Sequence, residues 1–253
     1  MNKQPEFKNI ENYSEAVEEN DLFTQYTNIE TPNRYDSNYV SLKFSPTLQE
    51  FKLLEKMHLE YQEALQQKHL KFVWPENTGL HPDLLDYLDQ KEYKIGMQNL
   101  YWIIPEQFNV KEINNELSIQ IVTDQNFEDF LKINLEEDYK HGSEFFEHKK
   151  RIYPYQFKQE HTYFILAYLN NLPVGSLILI DSNDYLEVDN VLTHYEFRGN
   201  KVATTMLDYA INERANKDQK VILVADAEDT PKEMYENLGF QYISYQISAQ
   251  KDL

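Results

Sequence analysis

The sequence predicts an α/β fold in which a mixed sheet is covered by helices. Strand-like alternation and helical apolar spacing follow one another along the chain. In the second half, strand patterns over Tyr163–Leu169 and Val174–Ile180 are joined by Asn170-Asn171-Leu172-Pro173, whose turn residues predict a tight hairpin. Hairpins followed by alternating strands and helices favour a mixed sheet. The 253 residues suffice for one large or two small domains.

The first half predicts the order strand, long helix, strand, shorter helix, strand. Before it, residues 1–38 are polar and acidic, and Leu22, Phe23 and Tyr26 predict a short helix. Ser45-Pro46 predicts a helix start, with serine as the N-cap and proline at the first helical position. The five elements are predicted over Tyr39–Phe44, Leu48–Leu65, Leu70–Trp74, His81–Leu88 and Lys94–Ile104.

A polar segment, Pro105–Asn115, predicts a linker, so we divide the chain into domains 1–110 and 111–253. Near the C-terminus, Thr230-Pro231-Lys232-Glu233 predicts a capping box at the start of the last helix. Further elements of the second half are predicted over Leu117–Val122, Asn126–Asp138, Tyr139–Phe157, Tyr185–Thr193, Ala203–Ala215 and Val221–Asp226, followed by a helix that ends at Gly239.

The charge of the chain bears on its partners. It has 24 Lys and Arg residues against 43 Asp and Glu, a formal net charge of −19. Such a chain repels nucleic acid and anionic membranes, and we predict neither as a partner. The acidity attracts cations such as polyamines, aminoglycosides or basic protein termini; the alternative is that it only keeps the protein soluble. There is no cysteine, which excludes disulfides and thiolate chemistry.

The apolar pattern predicts a cytoplasmic protein. No apolar run approaches the roughly 20 residues of a membrane-spanning helix, and the first residues lack the apolar core of a signal peptide. The seven histidines show no ligand spacing, so we predict no metal site. The sequence does not decide the oligomeric state, and a homodimer is one open alternative.

A basic turn followed by an amphipathic helix is the strongest functional signal. The turn spans Phe197–Ala203, and the helix behind it carries Ala203, Met206, Leu207, Ala210, Ile211 and Ala215 on one face. A helix start leaves four N–H groups without an intrahelical acceptor and carries the positive end of the helix dipole. Because this start follows a strand end, we predict a binding site for a diphosphate.

Two motifs in the C-terminal half resemble the GCN5-related N-acetyltransferases, the GNAT family. Val191-Leu192-Thr193-His194, followed by Arg198-Gly199-Asn200-Lys201-Val202-Ala203, looks like the family's acetyl-CoA strand and pyrophosphate loop. Met234–Phe240 looks like its second signature, a helix with a tyrosine followed by Gly-Phe. One position departs from the pattern, because Lys201 stands where the family usually has glycine, which lets the backbone approach phosphate oxygens.

The resemblance implies a GNAT-like fold, acetyl-CoA as co-substrate, and a site where the strand ending at Thr193 parts from the strand Val221–Asp226. It implies that the Val191 N–H polarises the thioester carbonyl and that Thr193 pairs with the pantetheine arm. Tyr235 is implied as the general acid that returns a proton to the sulfur. The implied cofactor-binding residues are Val191, Leu192, Thr193, Arg198, Gly199, Asn200, Lys201, Val202, Ala203 and Thr204.

The N-terminal half resembles the C-terminal half in its order of elements. Leu88–Tyr93 can be aligned with Tyr235–Phe240, and in this alignment Leu88 replaces the tyrosine and Glu92 the glycine. We interpret the N-terminal half as a degenerate, partial copy of the GNAT half that lacks a phosphate loop. Its predicted role is structural support.

Acetyl transfer to a primary amine needs a proton acceptor, because an ammonium group has a pKa of roughly 10.4. Alternation along the strand before the turn puts four residues on one face: Glu187, Asp189, Val191 and Thr193. Glu187 and Asp189 are therefore candidate catalytic bases, with Asp226 as a third. The alternative is that these acids only hold water or attract the ammonium.

Aromatic residues in the segment Tyr139–Phe157 suggest where an acceptor binds. Phe145, Phe146, Tyr153 and Tyr155 lie where, by the resemblance, the family shapes its acceptor pocket, and such rings favour a cation. The alternative is that they only fill the core.

The sequence leads to one main hypothesis and two alternatives. The main one is an acetyl-CoA-dependent N-acetyltransferase that acts by direct transfer on a small-molecule or peptide amine. The first alternative is a non-catalytic protein that keeps the fold and binds CoA or a partner. The second is an acidic module that sequesters basic proteins and ignores CoA.

Overall fold

The computed structural model describes residues 4–228 and 232–253, which form two compact units. The strands are β1 Glu15–Glu19, β2 Phe23–Thr27, β3 Tyr39–Leu42, β4 His69–Val73, β5 Lys94–Ile103, β6 Ser118–Ile121, β7 Thr162–Leu169, β8 Leu172–Asp181, β9 Tyr185–Thr193, β10 Lys220–Asp226 and β11 Gln241–Asp252. The helices are α1 Leu48–Ala64, α2 Pro82–Gln90, α3 Phe127–Asp138, α4 Ser143–Phe157, α5 Val202–Tyr209 and α6 Lys232–Asn237, with a π-helical turn over Ala210–Arg214. Short 3-10 turns span Phe7–Asn9, Tyr35–Ser37, Pro105–Gln107, Tyr139–His141 and Tyr195–Phe197.

The first unit comprises residues 4–11, 100–224 and 232–243 of the described chain. Its strands follow the order β11-β5-β10-β9-β8-β7-β6. Strands β6 to β9 pair antiparallel, whereas β10 pairs parallel to β9. Both pairing modes therefore occur in this unit, which confirms the predicted mixed sheet. The order also places residues 100–103, the end of β5, between β10 and β11.

Helices of the first unit cover both faces of its sheet. The Asn134 amide on α3 donates to the Ser176 hydroxyl on β8 at 2.9 Å, so α3 lies on the face that carries Ser176. The neighbouring residue, Gly175, points to the opposite face, where it meets Val202 and Met206 of α5. The side-chain period of a strand thus separates the two helical layers.

The second unit comprises residues 12–99, 225–228 and 244–253. Its strands follow the order β1-β2-β3-β4-β11, in which β3 and β4 pair parallel and the other pairs are antiparallel. Phe51 of α1 is fully buried and its ring stacks on Trp74 with 5.8 Å between centroids. The buried cluster comprises Phe23, Val40, Leu42, Phe51, Leu54, Leu70, Phe72, Trp74, Leu84, Leu88, Tyr93 and Ala249.

The helix predicted from Leu22, Phe23 and Tyr26 is wrong, because this segment forms strand β2. Phe23 pairs with Leu42 of β3, and Tyr26 pairs with Tyr39. Pairing with strands on both sides satisfies the backbone of this short segment, which no local pattern in a polar stretch reveals.

The predicted start of α1 is also wrong. Thr47, not Ser45, is the N-cap. The Thr47 hydroxyl accepts from the Glu50 N–H, and the Glu50 carboxylate accepts from the Thr47 N–H at 2.8 Å. This reciprocal capping box satisfies two backbone donors, whereas a serine N-cap followed by Pro46 satisfies fewer.

Two other local predictions have different outcomes. The hairpin is confirmed: Leu169 pairs with Leu172, and both residues of the loop, Asn170 and Asn171, have positive φ, as a type I′ turn requires. The capping box predicted over Thr230–Glu233 begins at residues 230 and 231, which lie outside the described residues.

Over residues 4–228 and 232–253, each helix is too short or too polar to cross a membrane.

A buried histidine predicts acid sensitivity of the second unit. Both ring nitrogens of His58 are buried and have no hydrogen-bond partner among the described residues. Burial, reinforced by the charge of His69, lowers the pKa of His58 to about 3. At acidic pH the folded state therefore binds fewer protons than the unfolded state. The contribution of the neutral His58 to the free energy of unfolding is complete above pH 6.5 and is lost as the pH falls toward 3.

We expect His58→Leu to flatten the pH dependence of the free energy of unfolding. Between pH 7 and pH 5 the free energy of unfolding of the variant falls by about 2 kcal/mol less than that of the wild type, because an unfolded histidine titrates near 6.5. Urea denaturation at the two pH values measures the difference. Equal losses in both proteins contradict the assignment to His58.

Candidate active site

Strand β9 leaves its parallel neighbour before it ends. Its pairing with β10 runs from Tyr185 opposite Lys220 to Val188 opposite Leu223, and no further registered pair occurs among the described residues. Strand β9 nevertheless continues to Thr193. The residues after Val188 therefore present a strand edge with free backbone groups on the side of β10.

A β-bulge lies in this free part of β9. The register with β8 shifts between Ser176 and Ile178, which pair with Leu192 and Asp189. Two residues of β9 thus oppose one residue of β8, and Asn190 has a φ of 50°. A bulge of this kind redirects the following side chains and N–H groups.

The bulge corrects the predicted common face of the candidate acids. Glu187 pairs with Ile180 and Asp189 with Ile178, so both carboxylates lie on one face. Thr193 pairs with Gly175 and lies on the opposite face. The prediction that Thr193 shares the face of Glu187 and Asp189 is wrong, because one extra residue inverts the alternation.

Helix α5 begins without a side-chain cap. Its N-cap is Lys201, which makes no side-chain hydrogen bond to the helix backbone. The Thr205 N–H bonds the Lys201 carbonyl at 2.9 Å. Within the described chain, the N–H groups of Val202, Ala203 and Thr204 have no acceptor, so they are available to an anion.

Gly175 allows α5 to approach β8 and the end of β9. A Cβ atom at this position would lie 2.5 Å from Val202 Cγ1 and 2.9 Å from the Leu192 carbonyl oxygen. No side chain fits there. The sequence analysis did not identify Gly175 as a functional residue. The feature that could have revealed it is a glycine inside a strand pattern, which indicates that another part of the chain approaches closely.

Both cationic side chains of the predicted loop have carboxylate partners. Arg198 Nη2 lies 3.6 Å from Glu137 Oε1. Lys201 forms an ion pair with Glu112. The side chains of Arg198, Lys201 and Glu112 are exposed. The two ion pairs therefore contribute little to stability and can exchange for a phosphate group.

The segment before β6 lies against the same loop. The Asn114 amide donates to the Asn200 carbonyl at 3.1 Å, and the Asn114 backbone N–H donates to the Thr205 hydroxyl at 3.0 Å. These contacts hold the residues around Glu112 near the start of α5.

The candidate bases differ in their surroundings. Glu187 is buried, and its Oε2 accepts from the Glu11 N–H at 2.8 Å, which ties it to the N-terminal segment. Asp189 is half-buried, and its Oδ1 accepts from the Asn190 N–H at 2.8 Å. Asp226 belongs to the second unit. Asp189 is therefore the candidate that lies directly at the bulge.

Tyr235 lies on the short helix α6 and is buried. Its ring centroid is 6.2 Å from that of Tyr101 and 5.8 Å from that of Phe240. Gly239 has a φ of 99° and ends the helix, after which the Phe240 N–H bonds the Tyr235 carbonyl. The Gly-Phe motif thus forms the helix end that holds this tyrosine in place.

A buried polar network beside the bulge was missed at the sequence level. Asn190 donates to Asn134 Oδ1 at 2.9 Å, and Asn134 also exchanges hydrogen bonds with Ser176. Nearby, Tyr153 donates to Asp138 Oδ2 at 2.8 Å. Asparagine and aspartate within a helix pattern give no signal of their partners, which lie on β8 and β9 for Asn134 and on α4 for Asp138.

Lys201 occupies the backbone conformation that explains the family's preference for glycine. Its φ is 59°, in the left-handed region. We expect Lys201→Gly to exceed Lys201→Ala in free energy of unfolding by about 1 kcal/mol, because both remove the ammonium but only glycine relieves the backbone strain. Chemical denaturation measures this, and equal stabilities contradict it.

Two family models match the sequence. Residues 132–250 match the family described as acetyltransferase (GNAT) domain. Residues 6–101 match a family described as a domain of unknown function, DUF5613. No curated protein shows significant sequence similarity to this chain.

Solved structures share the fold. A functionally unknown conserved protein from Staphylococcus epidermidis has a TM-score of 0.87 and 24% identity over 98% of each chain. A GCN5-related N-acetyltransferase from Sphaerobacter thermophilus has a TM-score of 0.58 and 13% identity, covering 94% of this chain and 82% of its own. A tandem GNAT protein from the clavulanic acid biosynthesis pathway has a TM-score of 0.54 and 11% identity, covering 85% and 75%. The N-terminal half fits the predicted GNAT-like half-domain.

Proposed function

Because residues 132–250 of this chain are a domain of the GNAT acetyltransferase family, we propose that the protein transfers the acetyl group of acetyl-CoA directly to a primary amine. One observation carries this proposal: the bulged, unpaired end of β9 lies beside the uncapped start of α5. Gly175 holds the two together. Free N–H groups on a strand edge and at a helix start suit a thioester arm and a diphosphate, respectively.

The residues of the loop are assigned to the diphosphate. The N–H groups of Val202, Ala203 and Thr204 donate to its oxygens, and Gly199 and Asn200 leave the backbone accessible. Arg198 and Lys201 add positive charge after they leave Glu137 and Glu112.

The free edge of β9 is assigned to the acyl arm. The Val191 N–H donates to the thioester carbonyl, where negative charge develops, and the backbone of Leu192 and Thr193 pairs with the pantetheine. The ammonium loses its proton to a carboxylate, for which Asp189 is the better placed of the two predicted strand acids. Tyr235 returns a proton to the departing thiolate.

The release of CoA tests the proposed reaction. Purified protein is mixed with acetyl-CoA and a panel of polyamines, aminoglycosides and lysine peptides, and free thiol is measured. We expect amine-dependent release of CoA with at least one acceptor class. Thiol release that is the same with and without amine on the whole panel contradicts an N-acetyltransferase.

A second candidate is a non-catalytic GNAT-fold protein that binds CoA or a partner. The observation that favours it is the pairing of Arg198 and Lys201 with carboxylates, which a diphosphate must displace. This candidate predicts saturable CoA binding without turnover of any amine.

The division at residues 110 and 111 remains our proposal for the two homologous halves. Within it, the N-terminal half is a degenerate copy that supports the fold and binds no CoA. The end of β5 lies in the sheet of the first unit, which suggests why this copy is retained.

A further inference from the structure

The ammonium group of Lys149 lies on aromatic rings within the first unit. Its Nζ is 5.5 Å from the ring centroid of Phe145 and 5.4 Å from that of Tyr153. The positive charge of Lys149 also acts on the carboxyl group of Asp138. Aromatic faces and a nearby carboxylate together form an environment that suits a cation, and here the chain's own ammonium lies on the aromatic faces.

The Asp138 carboxylate has one fixed and one open oxygen. Asp138 is the last residue of α3 and is 8% exposed. Its Oδ2 accepts from the hydroxyl of Tyr153, whereas its Oδ1 makes no hydrogen bond within the described residues. Burial raises the pKa of Asp138, and the charge of Lys149 opposes this rise. A desolvated carboxylate of this kind gains from a neighbouring cation.

Tyr153 is held as a hydrogen-bond donor. Its side chain is 1% exposed, and burial, reinforced by the charge of Asp138, raises the pKa of its hydroxyl. The hydroxyl therefore stays protonated and fixes the orientation of the carboxylate.

The same hydroxyl links this cluster to the bulge of β9. The pKa of the Tyr153 hydroxyl responds to the side chain of Asn190 and to the charge of Asp189, so both groups lie near it. Asn190 is anchored in turn on Asn134 of α3. The cluster thus lies at the place where the free edge of β9 begins.

We propose that Asp138, Tyr153 and Phe145 form the subsite that binds the ammonium group of the acceptor, and that Lys149 occupies it when no acceptor is bound. This inference rests on the proposed acetyl transfer for its role, but the subsite can be tested as a binding site alone. It adds to the predicted strand acids a carboxylate from α3.

The chemistry at this subsite balances. The acceptor ammonium displaces Lys149 and binds Asp138, and one of its N–H bonds breaks as an O–H bond forms on Asp189. The neutral amine then attacks the thioester carbonyl carbon, so that a C–N bond forms, and the tetrahedral adduct gives a second N–H proton to water as the C–S bond breaks. The thiolate takes a proton from Tyr235, and Asp189 and Tyr235 exchange protons with solvent before the next cycle.

Binding of methylammonium tests the carboxylate. The cation is titrated into the protein, with and without CoA and at constant ionic strength, and binding is followed by NMR. We expect Asp138→Asn to weaken methylammonium binding by about tenfold or more, because it removes the desolvated charge. The matched control is Asp129→Asn. Asp129 also lies on α3, and its carboxylate also accepts a hydrogen bond from a tyrosine hydroxyl, that of Tyr168, at 2.7 Å. We expect this control to change the affinity for methylammonium by no more than about twofold, because solvent and salt screen the attraction of a carboxylate at the surface.

Removal of the internal cation gives the opposite signature. Lys149→Met keeps the aliphatic stem and vacates the subsite, so methylammonium binding tightens severalfold. The control is Lys150→Met, which also removes one positive charge. The Lys150 Nζ lies 5.9 Å from the ring centroid of Phe146. We expect it to leave the binding unchanged.

The outcomes separate the subsite from the proposed reaction. The subsite is overturned if the wild type shows no saturable methylammonium binding at millimolar concentration, if both aspartate variants lose binding equally, or if both lysine variants behave alike. Failure of the wild type to bind CoA contradicts the acetyl transfer and leaves the methylammonium result to decide the subsite.

Discussion

Tyr235→Phe is expected to lower kcat for acetyl transfer by about 100- to 1000-fold while CoA affinity stays unchanged. The hydroxyl is proposed to protonate the departing thiolate, and a positioned general acid contributes an acceleration of this size. The phenyl ring retains the contacts with Tyr101 and Phe240, so the fold of this region is preserved. Steady-state kinetics with saturating acetyl-CoA, together with calorimetry of CoA binding, measure the two quantities.

The neighbouring tyrosine provides the control for this variant. Tyr101→Phe also removes one hydroxyl from a buried ring of the same cluster. We expect its kcat to stay within about threefold of the wild type, since no proton transfer is assigned to it. Similar losses in both variants show that the effect is structural and remove Tyr235 from the chemistry.

Gly175→Ala is expected to lower the affinity for CoA by about tenfold or more and the free energy of unfolding by about 2 kcal/mol. The added methyl group meets Val202 Cγ1 at 2.5 Å and the Leu192 carbonyl at 2.9 Å, so the start of α5 has to move away from β9. The N–H groups assigned to the diphosphate move with it. Calorimetry and urea denaturation measure both effects.

A second strand glycine is the matched control. Gly96→Ala on β5 places its methyl group 3.6 Å from Ser248 Oγ, an ordinary contact. We expect unchanged CoA affinity and a small change in stability. If Gly175→Ala binds CoA as the wild type does, the close approach of α5 to β9 is not what positions the diphosphate.

Local patterns predicted most elements of the fold. The helix start at His81-Pro82 and the hairpin at Asn170-Asn171 were predictable because their residues restrict the backbone directly. Strand β2 was not predictable, because its stability comes from pairing with strands on both sides. The entry of residues 100–103 into the sheet of the first unit likewise depends on pairing across a long stretch of sequence.

The candidate site was predicted only in part. The turn before α5 could be found from its residues, since a basic turn before an amphipathic helix has a direct meaning for anions. The bulge at Asn190 could not, because the adjacent residues Val191 and Leu192 are both apolar, so the sequence does not show that the alternation shifts there. Asp138 and Lys149 were hidden for another reason: their meaning depends on contact with Tyr153 on the packed helices.

The affinity for CoA, compared with that for pantetheine, tests the central claim most directly. Pantetheine keeps the thiol arm and lacks both the diphosphate and the adenosine nucleotide, so titration calorimetry of a third ligand, 4′-phosphopantetheine, measures the part of the difference that one phosphate group at the start of α5 accounts for. The account predicts saturable binding of CoA and binding of pantetheine weaker by at least about 100-fold, since several charge-assisted hydrogen bonds are absent. Equal affinities for the two ligands, or no binding of CoA at millimolar concentration, would contradict it.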